Sequence, residues 1–181
     1  MSQSEPLPHP HTPSAWVERF LGQIPVRSRL LDVACGTGRH TRLFLDKGHT
    51  VTAIDRDLSR IADIRSDRLV RIEADLETGT SWPLAGEDFA GVIVTNYLYR
   101  PILQNLVSSV ASAGMLIYET FAEGNEKFGR PMNPDFLLKP GELLNLVHKI
   151  LRVIAYEDTV MIHPKPAQIQ RIAAFRVPTK G

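Results

Sequence analysis

Four polar groups close or interrupt apolar runs within the first hundred residues of the chain. They are Asp32 in LLDVACGTGRH, Asp55 at the end of TVTAID, Asp75 in EADLETG and Asn96 in VIVTNYLY. A carboxylate inside a run like the first is costly to bury unless something hydrogen-bonds to it, so the fold or a ligand must supply a partner. Gly36-Thr37-Gly38 follows directly. Glycines there let the backbone turn sharply and let a ligand come close to it. A strand end facing a helix N-terminus is where α/β sheets hold ligands. An acid ending the second strand, as Asp55 does, accepts both hydroxyls of a ribose. Asp75 can take a hydrogen bond from an exocyclic amine. The chemistry on offer is recognition of a nucleoside. The dinucleotide fingerprint G-x-G-x-x-G is incomplete, because Thr41 stands where its third glycine would be.

These groups need a scaffold that brings strand ends to one edge. Ser14 reads as the N-cap of a helix whose apolar face is Trp16, Val17, Phe20 and Leu21, with Pro25 as the stop. A β/α alternation then begins. Strands are expected at 29–34, 50–55, 69–75, 89–96 and 114–121, with helices at 38–47, 58–65 and 101–111. Between 76 and 88, Gly79, Pro83 and Gly86 leave room for a short turn at most. Strands rich in Val, Ile and Leu separated by helices indicate an α/β, doubly wound, mostly parallel sheet covered on both faces. In the last third, Lys139-Pro140-Gly141 introduces a helix at 142–150. Strands at 151–159 and 169–178 follow, joined by a short loop, and must pair antiparallel.

With 181 residues the chain fits one domain of ordinary size. Residues 1–13 carry Pro6, Pro8, Pro10 and Pro13 among polar residues and read as a flexible arm, leaving 14–181 as the domain. His9 and His11 lie in that arm without a Cys or acidic neighbour, so no metal site is expected there. A net charge of +1 offers no basic field for a phosphate backbone, which excludes nucleic acid as the expected partner. No apolar run approaches the roughly 20 residues that cross a bilayer. The start, MSQSEPLPHPHTPS, lacks the pattern of a secretory signal, and the single cysteine, Cys35, fits a reducing cytoplasm.

LDVACGTGRHT, AIDRD, EADLETG and VIVTNYLYR, in this order, closely resemble the class I S-adenosylmethionine-dependent methyltransferases, whose signature D/E-x-x-x-G-x-G is met by Asp32, Gly36 and Gly38. The resemblance covers almost the whole chain after the arm. It implies a Rossmann-like seven-stranded sheet with its last strand inserted antiparallel, S-adenosylmethionine as cofactor and S-adenosylhomocysteine as product. It also implies that Gly36 and Gly38 lie against the amino-acid part, that Asp55 binds the ribose, and that Asp75 with the Leu76 backbone binds the adenine. Asp32 is implied near the ammonium, where a cation and loop amides would satisfy it. Ala34, Arg56 and Asn96, adjoining these positions, are carried with them as cofactor contacts. The segment YETFAEGNEKFG…FLLKPGELLNL is similar, more loosely, to small tellurite-resistance-type methyltransferases.

Methyl transfer from a sulfonium is an in-line displacement in which the protein mainly positions the nucleophile. The sequence offers no Ser/His/Asp or Cys/His set for covalent catalysis, and Cys35 reads as a small packing residue. A small-molecule acceptor is expected over the ends of the fourth and fifth strands, where Tyr97, Tyr99, Arg100 and Glu119 stand. Asn96-Tyr97-Leu98-Tyr99 departs from the N/D-P-P-Y pattern of amino-directed nucleic-acid methyltransferases. Residues 122–139 are too long and polar for a simple turn, and with Arg130 they read as a lid over the acceptor or as a plain surface excursion. Two other functions stand beside this one: a non-catalytic cofactor-binding module, and a nicotinamide-dependent oxidoreductase using the same acid and glycine turn. The acceptor's identity and the oligomeric state are not written in the sequence.

Overall fold

The computed structural model describes residues 12–79 and 81–178, so the calls on His9, His11 and most of the arm lie outside the described residues. The apolar runs form a seven-stranded sheet of order β3-β2-β1-β4-β5-β7-β6. Its parallel part comprises β1 (Arg29–Val33), β2 (Thr50–Asp55), β3 (Leu69–Glu73), β4 (Phe89–Thr95) and β5 (Val110–Phe121). β7 (Ala167–Phe175) enters antiparallel between β5 and β6 (Arg152–Met161), as expected. The strand order reverses at β1, which pairs with β2 on one side and β4 on the other. A crevice opens at the carboxyl ends of the strands where such a reversal occurs.

Neighbouring residues of a strand enter different cores, which is why these strands are apolar throughout. Leu30, Val51, Ala53, Ile93 and Ile117 pack with Trp16, Val17, Phe20 and Leu21 of α1 (Ala15–Leu21) and with Phe44 and Leu45 of α2 (Arg39–Asp46). Leu31, Ile54, Val92, Val94 and Leu116 pack on the opposite face with α3 (Leu103–Ser108) and α4 (Glu142–Val147). The Ser14 hydroxyl accepts from the amides of Trp16 and Val17 and caps α1, and the helix ends at Leu21, before Pro25 is reached. No helix among the described residues is long and apolar enough to cross a membrane.

Several expected elements are shorter. The helix expected at 58–65 is a single 3-10 turn, Ser59–Ile61. Only Ile61 and Ile64 are buried there, at the three-residue spacing of a 3-10 turn and too few to support an α-helix. The helix expected at 101–111 is a 3-10 turn, Arg100–Ile102, followed by α3, because Val110 already pairs with Phe89 at the start of β5. α4 ends at Val147 rather than 150. β3 and β4 end at Glu73 and Thr95, so Asp75 and Asn96 stand on the loops that follow rather than on the strands.

Candidate active site

The turn between β1 and α2 is built from left-handed backbone: Ala34, Gly36 and Gly38 have φ of 51°, 54° and 72°. The two glycines serve different purposes. A Cβ on Gly38 would lie 2.5 Å from Ile61 Cγ2, so this glycine lets α2 settle onto the 3-10 turn. A Cβ on Gly36 would meet nothing within 4 Å, and Gly36 lines an open cleft.

That cleft, of about 440 Å³, lies at the carboxyl ends of β1, β2 and β3. The strand-end residues Ala34, Gly36, Asp55, Arg56, Asp75 and Leu76 all line it, as does Tyr97. Asp55 Oδ2 accepts from the Gly36 amide at 2.8 Å, and Oδ1 accepts from the Asp57 amide at 3.1 Å. The carboxylate thus braces two loops, and each oxygen keeps a second lone pair for a ligand. Asp75 Oδ1 accepts from the Glu77 amide at 2.9 Å, which shapes the next loop in the same way.

Asp32 is not in the cleft wall. It is 2% exposed, and its Oδ2 accepts from the Thr41 hydroxyl at 2.6 Å. Thr41, in the first turn of α2, is thus its partner within the protein, and burial pushes its pKa up to about 6. Gly38 is buried and also lies outside the cleft wall. Asn96 has φ of 54°, its amide donates to the Glu119 carbonyl, and the residue is exposed and not among those lining the cleft.

Of the acceptor candidates, Tyr97 alone lines the cleft. Its hydroxyl is shielded from solvent and has no hydrogen-bond partner among the described residues. Burial and the carboxylates of Glu77 and Asp75 push this phenol well above the usual range. Tyr99 instead packs against the core, its hydroxyl 3.4 Å from the Glu77 carbonyl. Arg100 is engaged by the fold: it holds Glu142 through Nε and Nη2 at 2.8 and 2.9 Å, and donates to the carbonyls of Asp135 and Leu137, both at 2.9 Å. Glu119 is buried, accepting from Ser14 Oγ at 2.7 Å and from Arg171 Nη1 at 3.2 Å. Arg100 and Glu119 are thus both engaged in ties between distant elements of the fold. Arg130 is exposed on the wall of a second cavity.

Residues 122–139 form a loop closed at its base. Ala122 bridges Leu138, the Leu138 amide donates to Phe121, and Glu123 donates back to Leu138. Buried Asn125 donates from Nδ2 to the Pro131 carbonyl at 3.0 Å. Phe136, carried by this loop, reaches the wall of the cleft.

Sequence reasoning missed Asp57, Arg60, Ala74, Glu77 and Phe136 in the cleft wall. Ala74 and Glu77 flank Asp75 and could have been read from it; Phe136 carries no local signal. It also missed His40, which is buried, accepts the Ser14 amide at Nε2 and lies 3.4 Å from Thr95 Oγ1 through Nδ1. Burial and the neighbouring Arg39 lower its pKa to about 3.

Residues 30–113 match the methyltransferase domain family. Among solved structures, TehB from Haemophilus influenzae aligns with 89% of this chain at a TM-score of 0.69 and 16% identity; this chain spans 61% of that protein's length. An S-adenosylmethionine-dependent methyltransferase from Mesorhizobium loti aligns with 90% of this chain and 98% of its own, at a TM-score of 0.67 and 14% identity. The 1,6-didemethyltoxoflavin-N1-methyltransferase of Burkholderia thailandensis, solved with 1,6-didemethyltoxoflavin and S-adenosylhomocysteine, aligns with 90% of this chain and 76% of its own, at a TM-score of 0.64 and 18% identity. Such low identities establish the shared fold. No protein of curated function matches the sequence.

Proposed function

We propose, for a chain that carries a methyltransferase domain on the fold of the S-adenosylmethionine-dependent methyltransferases, that it transfers a methyl group by in-line displacement to a small-molecule acceptor. The observation that carries this reading is convergence: Gly36, Asp55, Asp75 and Leu76, from three successive strand ends, line one cleft. The residues fit a sulfonium nucleoside. Open space over Gly36 leaves the backbone approachable, and Asp55 keeps acceptor capacity for two ribose hydroxyls. Asp75 and the Leu76 backbone stand where an adenine edge would be read. Asp55, Asp57, Asp75 and Glu77 outnumber Arg56 and Arg60 in the wall, which suits a cationic ligand.

S-adenosylmethionine, when bound, supplies an electrophilic methyl on a charged sulfur. This chain's residues would hold its nucleoside, exclude water beside Tyr97 and Phe136, and orient the acceptor. The same reading places the reaction in the cytoplasm without nucleic acid, in keeping with a near-neutral charge and one buried cysteine.

Thermal denaturation with S-adenosylmethionine, S-adenosylhomocysteine or NAD tests the reading. A ligand at 100 times its Kd adds about 2.7 kcal/mol of stability. The two sulfur nucleosides are expected to stabilise and NAD is not; stabilisation by NAD alone overturns the proposal. Asp55→Ala is expected to weaken S-adenosylhomocysteine binding by at least about 1.5 kcal/mol, the scale of a charge-assisted hydrogen bond. Unchanged affinity by calorimetry removes Asp55 from the site.

A further inference from the structure

We infer that the methyl acceptor is an amphipathic anion: an apolar, ring-sized body bearing a carboxylate or phosphate, seated in the second cavity with its anionic group on Arg130. This rests on the methyltransferase reading above and adds the acceptor's class. The cavity, of about 540 Å³, is lined by Arg130, Pro131, Met132, Asn133 and Phe136. It is a shallow depression, open to solvent on one side, so a ligand resting in it keeps part of its surface in water. Phe136 lines both this cavity and the cofactor cleft, so a molecule resting on one side of the ring borders the cleft on the other.

The walls are apolar, exposed and held in place. Met132 is 60% exposed and Phe136 44%, side chains that a loop of this length could have turned inward. The backbone around Phe136 is fixed on both sides, because Arg100 holds the carbonyls of Asp135 and Leu137. The Asn133 side chain accepts from the Asp135 amide, and Asn125 holds the Pro131 carbonyl. A contact surface ordered before binding loses little entropy when a ligand arrives.

Charge orients the ligand. Arg19, Arg29, Arg42, Arg100 and Arg171 each pair with a carboxylate. Arg130, like Arg56 and Arg60 of the cofactor cleft, has no such partner among the described residues, and it is the arginine that lines this cavity. Its guanidinium is left to grip a carboxylate or phosphate, the groups that its planar fork matches. The cleft on the other side of Phe136 is richer in carboxylates than in arginines, so it repels the anionic end and favours the poise with the nucleophile inward.

The test uses the whole chain saturated with S-adenosylhomocysteine and four probes: 2-naphthoate, 2-naphthyl phosphate, neutral 2-naphthamide and 2-naphthylmethylamine. Ligand-observed NMR or calorimetry is expected to show at least one anion binding tenfold or more tighter than the amide, with the amine weakest. Whichever anion binds tighter names the group. Arg130→Ala is expected to erase the preference, Arg130→Lys to retain part of it, and Phe136→Leu to weaken acid and amide alike. Naphthoate and naphthyl phosphate binding no better than the amide, or a preference that survives Arg130→Ala, overturns the inference. S-adenosylhomocysteine affinity of each protein is measured separately. Loss of the preference in Arg130→Ala with that affinity intact supports the acceptor assignment. Absence of S-adenosylhomocysteine binding in the unaltered protein strikes the cofactor reading instead, and the acceptor assignment falls with it.

Discussion

The Thr41 hydroxyl donates to Oδ2 of Asp32 at 2.6 Å, joining the first turn of α2 to the penultimate residue of β1, just before the glycine turn. The bond offsets part of the cost of a carboxylate that is 2% exposed, and burial still raises its pKa to about 6. Below about pH 4, native and unfolded chains both hold this proton. Between about 4 and 6 the unfolded chain releases it first, so stability falls as pH rises, by up to about 3 kcal/mol. Asp32→Asn removes that penalty. Urea unfolding is expected to show the variant gaining about 2 kcal/mol more over the parent at pH 8 than at pH 4.5. An equal difference at both pH values refutes the buried, proton-retaining Asp32.

His40 works in the opposite direction. Its Nε2 accepts the Ser14 amide at 3.0 Å, a bond that only the unprotonated ring makes at that nitrogen, and its pKa is lowered to about 3. The unfolded chain takes up the proton first as pH falls, so the stability that His40 contributes above about 6.5 is lost toward about 3, near 1.4 kcal/mol per pH unit. His40→Gln deletes that slope. The stability difference between parent and variant should shrink by about 2 kcal/mol between pH 7.5 and pH 5. Parallel curves would mean that His40 takes up its proton over the same pH range in the native and the unfolded chain.

The two glycines of the turn separate folding from binding. Gly38→Ala forces a Cβ against Ile61 Cγ2 at a φ of 72°. It is expected to cost about 2–5 kcal/mol in thermal unfolding, the sum of left-handed strain and overpacking. Gly36→Ala, in open space, should cost only about 1–2 kcal/mol of stability, while its methyl group obstructs the cleft and weakens S-adenosylhomocysteine binding by tenfold or more. Intact binding by Gly36→Ala shows that the cofactor does not lie over this residue.

Arg100 holds the loop at 122–139 through Glu142 and two carbonyls. The pair is partly exposed, so the stability lost in Arg100→Ala is expected to stay near the low end of charged hydrogen bonds, about 1.5 kcal/mol. The local effect should be larger than the global one. Limited proteolysis is expected to cut Arg100→Ala and Glu142→Gln faster between 122 and 139, with the rest of the chain intact. Equal cleavage rates would show the loop held by its other contacts alone.

Strand ends were readable where the signal is local. Asp55 sits at the last residue of β2 as expected, and its neighbour Arg56 shares the cleft. The same reasoning cannot see what engages Arg100 and Glu119, polar residues expected near the acceptor. Their partners, Glu142 for one and Ser14 and Arg171 for the other, lie far along the chain on elements that only folding brings alongside. Asp32 was rightly found anomalous, yet its partner Thr41 becomes adjacent only when α2 folds back over β1.

The order of residues by itself determined the alternation of strands and helices, the parallel sheet with an antiparallel insertion, the glycine turn and the acids that meet at its edge. Those features follow from side-chain periodicity and backbone preference, which act over a few neighbouring residues. The tertiary structure alone decided that Asp32 is a buried strut, that Arg100 and Glu119 tie elements together, and that Phe136 divides the two cavities. Ion pairs and cavity walls depend on which distant segments come within a few ångströms of each other, and the packing of the whole core sets those distances.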